Sequence, residues 1–485
     1  MSSNHSKFSK ATHRTIGSGS GFTGTKKRAG SIGVGPSLSG NDWISVKAEI
    51  DKCLYGPGSE VSERARAMDL GRLYLDLDGQ GRKRFFQLLA TRYDIDRTAL
   101  ARTMAAWNEL YQRPEQREES IDRLHRATEE TLREKLTPPR IRLLARFNGL
   151  PEGVKFLVDM RSELIPLARK DPALKGLDDD LKSLLAGWFD VGFLDLQCIT
   201  WDAPASLLEK LVRYEAVHAV TSWHDIRNRL APPDRRCYAY FHPKMPNEPL
   251  IFVWVALVKG MSGNVQTLLD TKERSIQDPL GADTAIFYSI SNAQTGLTGI
   301  SLGNFLIKRV VKDLVNSYKH INTFATLSPI PGFRGWLAEQ IAEEGDSLLS
   351  ADELQAISSV AGKSRDDDTQ GARLLSALCA RKGWNQQPDI VEILEKPLLR
   401  LCAHYLTQAK RGKYARNRVA HFHLSNGARM ERINWLGDIS RKGIEDSAGM
   451  MINYLYESDE IEKNHEAYTN DGKIAVSSGI NGLSI

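Results

Sequence analysis

Apolar residues recur at helical spacing through most of residues 42–189. The segment ESIDRLHRATEETLREKL carries one apolar stripe and ends before Pro138 and Pro139, which stop a helix. The segment EGVKFLVDMRSELIPLARK carries a second stripe. The two stripes consist of Ile121, Leu124, Leu132 and Leu136, and of Val154, Leu157, Val158, Leu164 and Ile165. The pattern predicts an all-α helical bundle, in which we find no catalytic constellation.

From residue 190 the pattern changes to short apolar and aromatic runs that are typical of strands. RCYAYFHP and EPLIFVWVALVKG predict a hairpin, and TAIFYSIS and INTFATL predict two more strands around the helix SLGNFLIKRVVKDLVNSY. VAHFHL and ARMERINWL predict a last hairpin, because SNGA between them contains an Asn-Gly turn signal. Two predicted helices, APASLLEKLVRYEAVHAV and SWHDIRNRL, come before these strands.

This order of elements resembles the GNAT-type acetyltransferase fold, which binds acyl-coenzyme A. A stretch of helical pattern, about 345–415, interrupts it and contains a capping-box candidate formed by Ser350 and Glu353. We therefore predict an α+β protein with three parts. They are a disordered basic tail over 1–41, an all-α helical bundle over 42–189, and a GNAT-like mixed α/β acyltransferase fold over 190–485 with a helical insertion.

The net charge of +5 comes from the tail, because residues 1–40 carry six basic residues and no acidic one. The remaining near-neutral body lacks the broad positive field that binds nucleic acid. The longest apolar run, PLIFVWVALV, is too short to span a membrane. The five cysteines form no CxxC pair, which indicates a reducing compartment and no zinc site. We expect a cytoplasmic protein that binds neither nucleic acid nor a membrane.

A serine stands in a stiff turn, TLSPIPGFRGW. Pro329 disfavours helical backbone at Ser328, and Pro331 suits the first turn of a helix. The segment predicts a strand that turns into a helix, whose N-terminus favours negative charge. It is equally compatible with a turn of no catalytic role. No G-x-S-x-G elbow surrounds Ser328, which argues against a serine hydrolase.

Three glycines, Gly296, Gly299 and Gly303, precede a predicted helix. Glycines at such a place let backbone N–H groups approach a pyrophosphate, although they are also ordinary turn residues. In the acetyltransferase pattern Q/R-x-x-G-x-G/A, a glycine stands where this chain has Ser301.

Two histidines, His421 and His423, lie two residues apart on the predicted strand VAHFHL and would face the same side of a sheet. Either one is a candidate acid or base near neutral pH, and either one alone is also compatible with a structural role. We expect no metal between them, because no third ligand stands at suitable spacing.

Six segments together resemble the malonyl-CoA decarboxylase family. The resemblance implies a helical oligomerisation domain joined to a GNAT-like catalytic domain, assembled as a homo-oligomer and in our expectation a tetramer. It also implies conversion of malonyl-CoA to acetyl-CoA and carbon dioxide without a metal or an organic cofactor. A GNAT-type acyltransferase and a non-catalytic scaffold are the alternatives. The segments are AGWFDVGFLDLQCITW, AIFYSIS, GISLGNFLIKRVVK, LSPIPGF, FHLSNGARMERINWLGD and GMMINYLY.

By position in these segments, the family's catalytic serine falls on Ser328 and its catalytic histidine on His423. The implied chemistry is loss of carbon dioxide to a thioester enolate, which His423 protonates. Tyr456 falls at a position expected near the site, and Lys210 at one thought to support activity. The family's ligand loop falls on Thr298, Gly299, Ile300, Ser301, Leu302, Gly303 and Asn304.

Two departures from the family's animal members stand out. Those members have an acidic residue at the position of Ser301, and a cysteine implicated in linking subunits at the position of Ala205. Neither group is available to this chain. The final LSI is not a peroxisomal SKL signal, which agrees with a cytoplasmic enzyme.

Overall fold

The computed structural model describes residues 33–112, 119–269, 278–300, 302–361 and 371–483. The N-terminal part is helical, as the apolar stripes predict. Its helices are α1 (Asp42–Tyr55), α2 (Glu60–Asp76), α3 (Gly79–Arg92), α4 (Arg97–Tyr111), α5 (Glu119–Leu136), α6 (Pro139–Phe147), α7 (Gly153–Ala168) and α8 (Lys175–Trp188).

The two predicted stripes differ in what they contact. All five apolar residues named in α7 are buried, which confirms that stripe as a core face. In α5, by contrast, Leu124 and Leu136 are 48% and 50% exposed, and the side chain of Ile121 lies outside the described residues. Helices α4 and α5 pack chiefly against each other. Part of the apolar stripe of α5 is therefore left uncovered by the described residues of the single chain.

Only part of the predicted tail is described. Residues 1–32 lie outside the described residues, whereas Leu38 is buried in the helical core. The Asp78 N–H donates to the carbonyl of Pro36 at 3.0 Å. Residues 33–41, which we predicted to belong to the disordered tail, therefore contact the helical part.

The C-terminal part is a mixed sheet with helices, as predicted for this fold class. Its elements begin with β1 (Asp195–Ile199), α9 (Ala205–Tyr214), α10 (Trp223–Leu230), β2 (Arg235–Phe241), β3 (Ile251–Val258), α11 (Val265–Leu269), β4 (Thr284–Asn292), α12 (Gly303–Ser317), β5 (Thr323–Thr326), β6 (Ser328–Pro329) and α13 (Phe333–Glu344). They continue with α14 (Ala351–Ala361), α15 (Gly371–Ala380), α16 (Pro388–Thr407), β7 (Lys410–Arg411), β8 (Tyr414–Ala415), α17 (Arg418–Ser425), β9 (Arg429–Asn434), α18 (Arg441–Ser447), β10 (Met451–Leu455), α19 (Ile461–Asp471) and α20 (Ser478–Leu483).

The strands of the large sheet run in the order β1-β2-β3-β4-β5-β10-β6, with β9 also paired to β10. The predicted β2–β3 hairpin is antiparallel, and β4 and β5 form the parallel pair that α12 connects. We did not predict β1, which pairs with β2. Residues 284–287 of β4 pair with β5, and the rest of β4 pairs with β3 alone. After residue 287, β4 thus separates from the chain that continues from β5 into β6. Ser328 lies in β6, at this opening of the sheet.

The prediction that VAHFHL is a strand of a hairpin is wrong, because these residues lie in α17. The side chain of Asn417 caps the helix by accepting from the Ala420 N–H at 2.8 Å. The Asn-Gly pair ends the helix instead of turning a hairpin. Gly427 has a φ of +81°, and a Cβ there would lie 2.0 Å from the Ile461 carbonyl oxygen. A left-handed glycine serves both kinds of turn, so the motif alone does not distinguish them.

The predicted helical insertion contains α14, α15 and α16 and ends in the small β7–β8 hairpin. Its capping box is confirmed: the Ser350 N–H donates to Glu353 Oε2, and the Glu353 N–H donates to Ser350 Oγ. All five cysteines are free thiols. Among the helices of the described ranges, none combines the length and the apolar character needed to cross a membrane.

Candidate active site

Ser328 lies where the parallel pair of strands ends. The Leu327 N–H still donates to the Phe287 carbonyl of β4, and Ser328 then pairs with Ile452 of β10. The chain turns through Pro329 and Pro331 into α13, so the predicted strand-to-helix turn is confirmed. The Ser328 side chain is buried. Its Oγ lies 3.0 Å from His423 Nε2 and 2.9 Å from Thr326 Oγ1.

The two histidines of α17 point to different environments, because residues two apart lie on opposite sides of a helix. His423 is buried and stacks on Tyr454 with 4.4 Å between ring centroids. His421 is exposed, and its Nδ1 lies 2.9 Å from the Tyr468 hydroxyl. The structure therefore excludes the two rings as a shared metal site and brings only His423 to Ser328.

Burial determines the charge of the His423 ring. Loss of hydration lowers the pKa of His423 to about 3, so the imidazole is neutral at physiological pH. Its Nδ1 lies 2.9 Å from the Tyr456 hydroxyl. Burial also raises the pKa of Tyr456 well above its ordinary value, so this hydroxyl keeps its proton. The residue that contacts His423 on the side away from Ser328 is thus Tyr456, a neutral phenol and not a carboxylate.

A second set of hydrogen bonds ties α17 to the Ser328 turn. Asn417 Nδ2 donates to the Pro331 carbonyl at 2.8 Å, and the Tyr405 hydroxyl donates to the same carbonyl at 3.0 Å. Because Asn417 also caps α17, one side chain links the start of the helix that carries His423 to the turn that follows Ser328.

The glycine-containing loop before α12 is held by the N-terminal helices. The buried Arg161 guanidinium of α7 donates to the carbonyls of Gly296 and Thr298 at 2.6 and 3.0 Å. A Cβ on Gly296 would lie 1.8 Å from the Val158 carbonyl oxygen, so only glycine allows this approach. Lys182 Nζ of α8 lies 3.2 Å from the place a Cβ of Gly299 would take. Arg161 is itself paired with Asp178 at 2.8 Å, so the positive charge beside the loop comes from Lys182.

This loop also lies close to the serine–histidine group, which consists of Ser328, His423 and Tyr456. Phe422, next to His423, packs on Gly303 at the start of α12 so closely that a Cβ there would lie 2.5 Å from the ring. Leu302 is buried and Ile300 is partly buried. Ser301 and the side chain of Asn304 lie outside the described residues.

Comparison with known proteins identifies the family. The model of the malonyl-CoA decarboxylase C-terminal domain matches residues 192–484, and that of the N-terminal domain matches residues 93–189. A mitochondrial malonyl-CoA decarboxylase of Anser anser anser is 39% identical over 429 residues, which are 85% of this chain and 83% of that protein. The chain belongs to the malonyl-CoA decarboxylase family.

Solved structures of family members agree. The malonyl-CoA decarboxylase from Rhodopseudomonas palustris superposes with a TM-score of 0.78 at 37% identity, covering 90% of this chain and 99% of that one. The enzyme from Agrobacterium vitis gives a TM-score of 0.79 at 35% identity, covering 91% and 99%. The sequence resemblance to the family is thereby confirmed.

Of the positions carried over from the family, Lys210 bonds to the segment before β3. It forms an ion pair with Glu248 and donates to the Asn247 carbonyl at 2.9 Å. Among the hydrogen bonds and ion pairs of the described residues, none joins Lys210 to Ser328, His423 or Tyr456. A role of Lys210 in the reaction stays a prediction.

Sequence reasoning missed Thr326, Asn417 and Tyr454. A signal existed for Thr326, because it stands two residues before Ser328 on a strand and so faces the same side. No comparable signal marks Asn417, which meets the Ser328 turn across a sequence separation of 86 residues.

Proposed function

We propose that this chain converts malonyl-CoA to acetyl-CoA and carbon dioxide. The observation that carries the proposal is the buried contact between Ser328 Oγ and His423 Nε2, at 3.0 Å, in a member of the malonyl-CoA decarboxylase family. Ser328, His423 and Tyr456 act on the malonyl group, and the loop from Thr298 to Asn304 binds the coenzyme A portion. Lys182 beside Gly299 supports phosphate binding there.

The chemistry requires an electron sink and a proton. Breaking the carbon–carbon bond releases carbon dioxide and leaves its electron pair on the thioester as an enolate. A donor aimed at such developing charge contributes about 3–4 kcal/mol to lowering the barrier. Ser328 supplies this donor to the malonyl group. His423 supplies the proton that ends on carbon, and because Nε2 faces Ser328 Oγ, the proton passes through that hydroxyl.

The proton arrives together with the substrate. Before substrate binds, burial disfavours the charged ring and lowers the pKa of His423 to about 3. The malonyl carboxylate brings a negative charge next to it, which raises the pKa again. We therefore expect His423 to take one solvent proton when malonyl-CoA binds. The substrate anion, the proton and the two products then balance.

A covalent route through Ser328 is less well supported. In serine hydrolases a carboxylate stabilises the imidazolium that forms when histidine takes the serine proton. Here that place is held by Tyr456, whose raised pKa keeps it neutral. The serine is therefore weakly activated as a nucleophile, and the arrangement suits proton delivery.

The test offers malonyl-CoA without any acyl acceptor. A decarboxylase releases carbon dioxide and acetyl-CoA in equal amounts, whereas an acyltransferase and a scaffold release neither. Absence of both products from the wild-type protein would overturn the proposed function.

The same reaction in deuterated water with hydroxylamine tests the mechanism. Protonation by His423 places one solvent deuterium in the methyl group of each acetyl-CoA formed, and the rate falls as pH rises through the pKa of His423 in the complex. An acyl-enzyme on Ser328 would yield hydroxamate in stoichiometric amount and a rate that falls as pH falls. That second result would reject the role given to Ser328.

Assembly and compartment belong to the same proposal. The exposed apolar residues Met104 of α4 and Leu124 and Leu136 of α5 support assembly through the helical part, with a tetramer as the expected state. For the compartment we keep the cytoplasm. The support is the sequence alone, and the printed name of the Anser relative places that protein in mitochondria. Localisation of a fluorescent fusion in the source cell tests it.

A further inference from the structure

The hydroxyl of Thr326 lies against the reacting serine in a fully buried position. Thr326 is the last residue of β5 and has no exposed surface. Its Oγ1 lies 2.9 Å from Ser328 Oγ and accepts the Tyr454 N–H at 3.2 Å. Its carbonyl accepts from Asn453 Nδ2 at 2.8 Å. Both ends of the residue are therefore anchored to β10 or its side chains.

The number of protons in this cluster decides which hydroxyl donates. Each of the two hydroxyls has one proton and two acceptor lone pairs. The Tyr454 N–H already occupies one lone pair of Thr326. Within the described part of the chain, Ser328 Oγ is the one acceptor that contacts the Thr326 hydroxyl. If Ser328 donated to Thr326, the Thr326 proton would be buried without an acceptor, which native interiors avoid.

We propose that Thr326 is a positioning residue that donates to Ser328 and so aims the Ser328 proton at the substrate. This inference rests on the proposed function. Before substrate binds, the buried Tyr456 hydroxyl donates to the neutral His423 at Nδ1, and the His423 proton sits on Nε2, facing Ser328 Oγ. The buried hydroxyls of Thr326 and Tyr456 and the His423 N–H then each have an acceptor.

Two donors therefore meet at the Ser328 oxygen. The His423 Nε2–H and the Thr326 hydroxyl both donate to Ser328 Oγ. Both lone pairs of Ser328 are then occupied. The Ser328 proton has one direction left, away from both neighbours and toward the malonyl group.

Two substitutions separate this role from packing. Thr326→Val keeps the shape of the side chain and removes its donor, whereas Thr326→Ser keeps the donor and removes a methyl group. We expect Thr326→Val to lower kcat by about tenfold or more, as for loss of one aligned donor, with KM for malonyl-CoA within about twofold of wild type. Thr326→Ser should keep at least about a third of kcat.

Nitrogen-15 spectra of the ligand-free protein labelled at histidine give the readout that packing alone would not move. The signal of His423 is assigned from its loss in His423→Asn. At pH 7 we expect the proton on Nε2 in wild type and in Thr326→Ser, and a mixture of the two neutral forms in Thr326→Val. Because the wild-type spectrum is itself a test, the inference stays falsifiable even if Thr326→Val fails to fold.

A wild-type His423 with its proton on Nδ1 would overturn the inference, because the Ser328 proton would then be directed at His423. An unchanged kcat in Thr326→Val would also overturn it. Both results are distinct from failure of the proposed function, which would appear as a wild-type protein that releases no carbon dioxide from malonyl-CoA. In that case the spectrum of the ligand-free protein still tests whether Ser328 Oγ accepts from His423.

Discussion

His423 is buried as a neutral ring, and the free energy of unfolding therefore depends on pH through this residue. Its pKa is about 3 in the folded chain and about 6.5 in an unfolded one. Between these values the unfolded chain binds one more proton at this residue. The free energy of unfolding therefore falls by about 1.4 kcal/mol per unit of pH as the solution is acidified from about 6.5 toward 3.

This predicts a difference between wild type and His423→Asn in urea denaturation at pH 7 and pH 5. Wild type should lose about 2 kcal/mol more than the variant over this interval. The remaining buried histidines, His218 and His242, are present in both proteins and cancel. Equal losses in the two proteins would show that His423 is not held neutral by burial.

The two histidines of α17 also give a matched pair for activity. Ser328→Ala and His423→Asn should each lower kcat by about two orders of magnitude or more, because each removes a group on the proton path. Coenzyme A binding, measured by calorimetry, should persist. His421→Asn removes contacts to Tyr468 and Tyr414, which are not on the proton path, and should be far milder. If His421 were the indispensable residue, the assignment of the buried ring would be wrong.

At the scale of elements, α17 presents His423 to Ser328 because Asn417 joins two elements that are distant in sequence. Its side chain caps α17 and also donates to the Pro331 carbonyl. The cap alone would leave the helix free to shift along the turn. The second bond sets the position of the helix relative to β6, and so the distance from Nε2 to Oγ.

We therefore expect Asn417→Ala to lower both stability and turnover. Loss of the cap and of a buried hydrogen bond should reduce the free energy of unfolding by about 1–3 kcal/mol, and kcat should fall because His423 is no longer aligned. Tyr405→Phe is the control, since it removes only a hydroxyl that bonds the same carbonyl. It should cost about 1 kcal/mol and keep most of kcat. Equal kcat in Asn417→Ala and wild type would rule out the alignment role.

At the scale of the whole molecule, the helical and sheet parts share one continuous apolar core. Leu157 and Val158 of α7 belong to the same cluster as Leu297 and Leu302 beside the ligand loop. Arg161 adds buried hydrogen bonds across this contact. The helical part therefore supports the loop as well as carrying the face expected to assemble. A fragment lacking it would expose core, so assembly is better tested in the full chain.

For assembly we predict a solution mass near four times the 54.2 kDa of one chain. The exposed Met104 and Leu124 lie on α4 and α5, and changing both to Glu should shift the protein to smaller species in light scattering. Leu280→Glu is the control, because Leu280 is 75% exposed in the sheet part. A wild-type monomer at micromolar concentration would refute assembly. An unchanged mass in the double variant would refute the assignment of the face.

The sequence by itself determined the elements whose signals are local. The α7 stripe, the β2–β3 hairpin, the Ser350–Glu353 capping box and the turn after Ser328 depend on residues that are close in the chain. Their periodicity, proline positions and caps act through neighbouring backbone, so they can be read without the fold. The motifs that carry the family resemblance likewise lie in short continuous segments.

Only the tertiary structure decided the geometry of the site. VAHFHL is too short for its period to separate helix from strand, and the Asn-Gly pair fits either ending. Folding settles this, because the Asn417 contact with Pro331 and the close approach of Gly427 to Ile461 form only between distant segments. The same long-range packing buries His423, lowers its pKa and aligns it with Ser328, whereas His421, two residues away, stays in solvent.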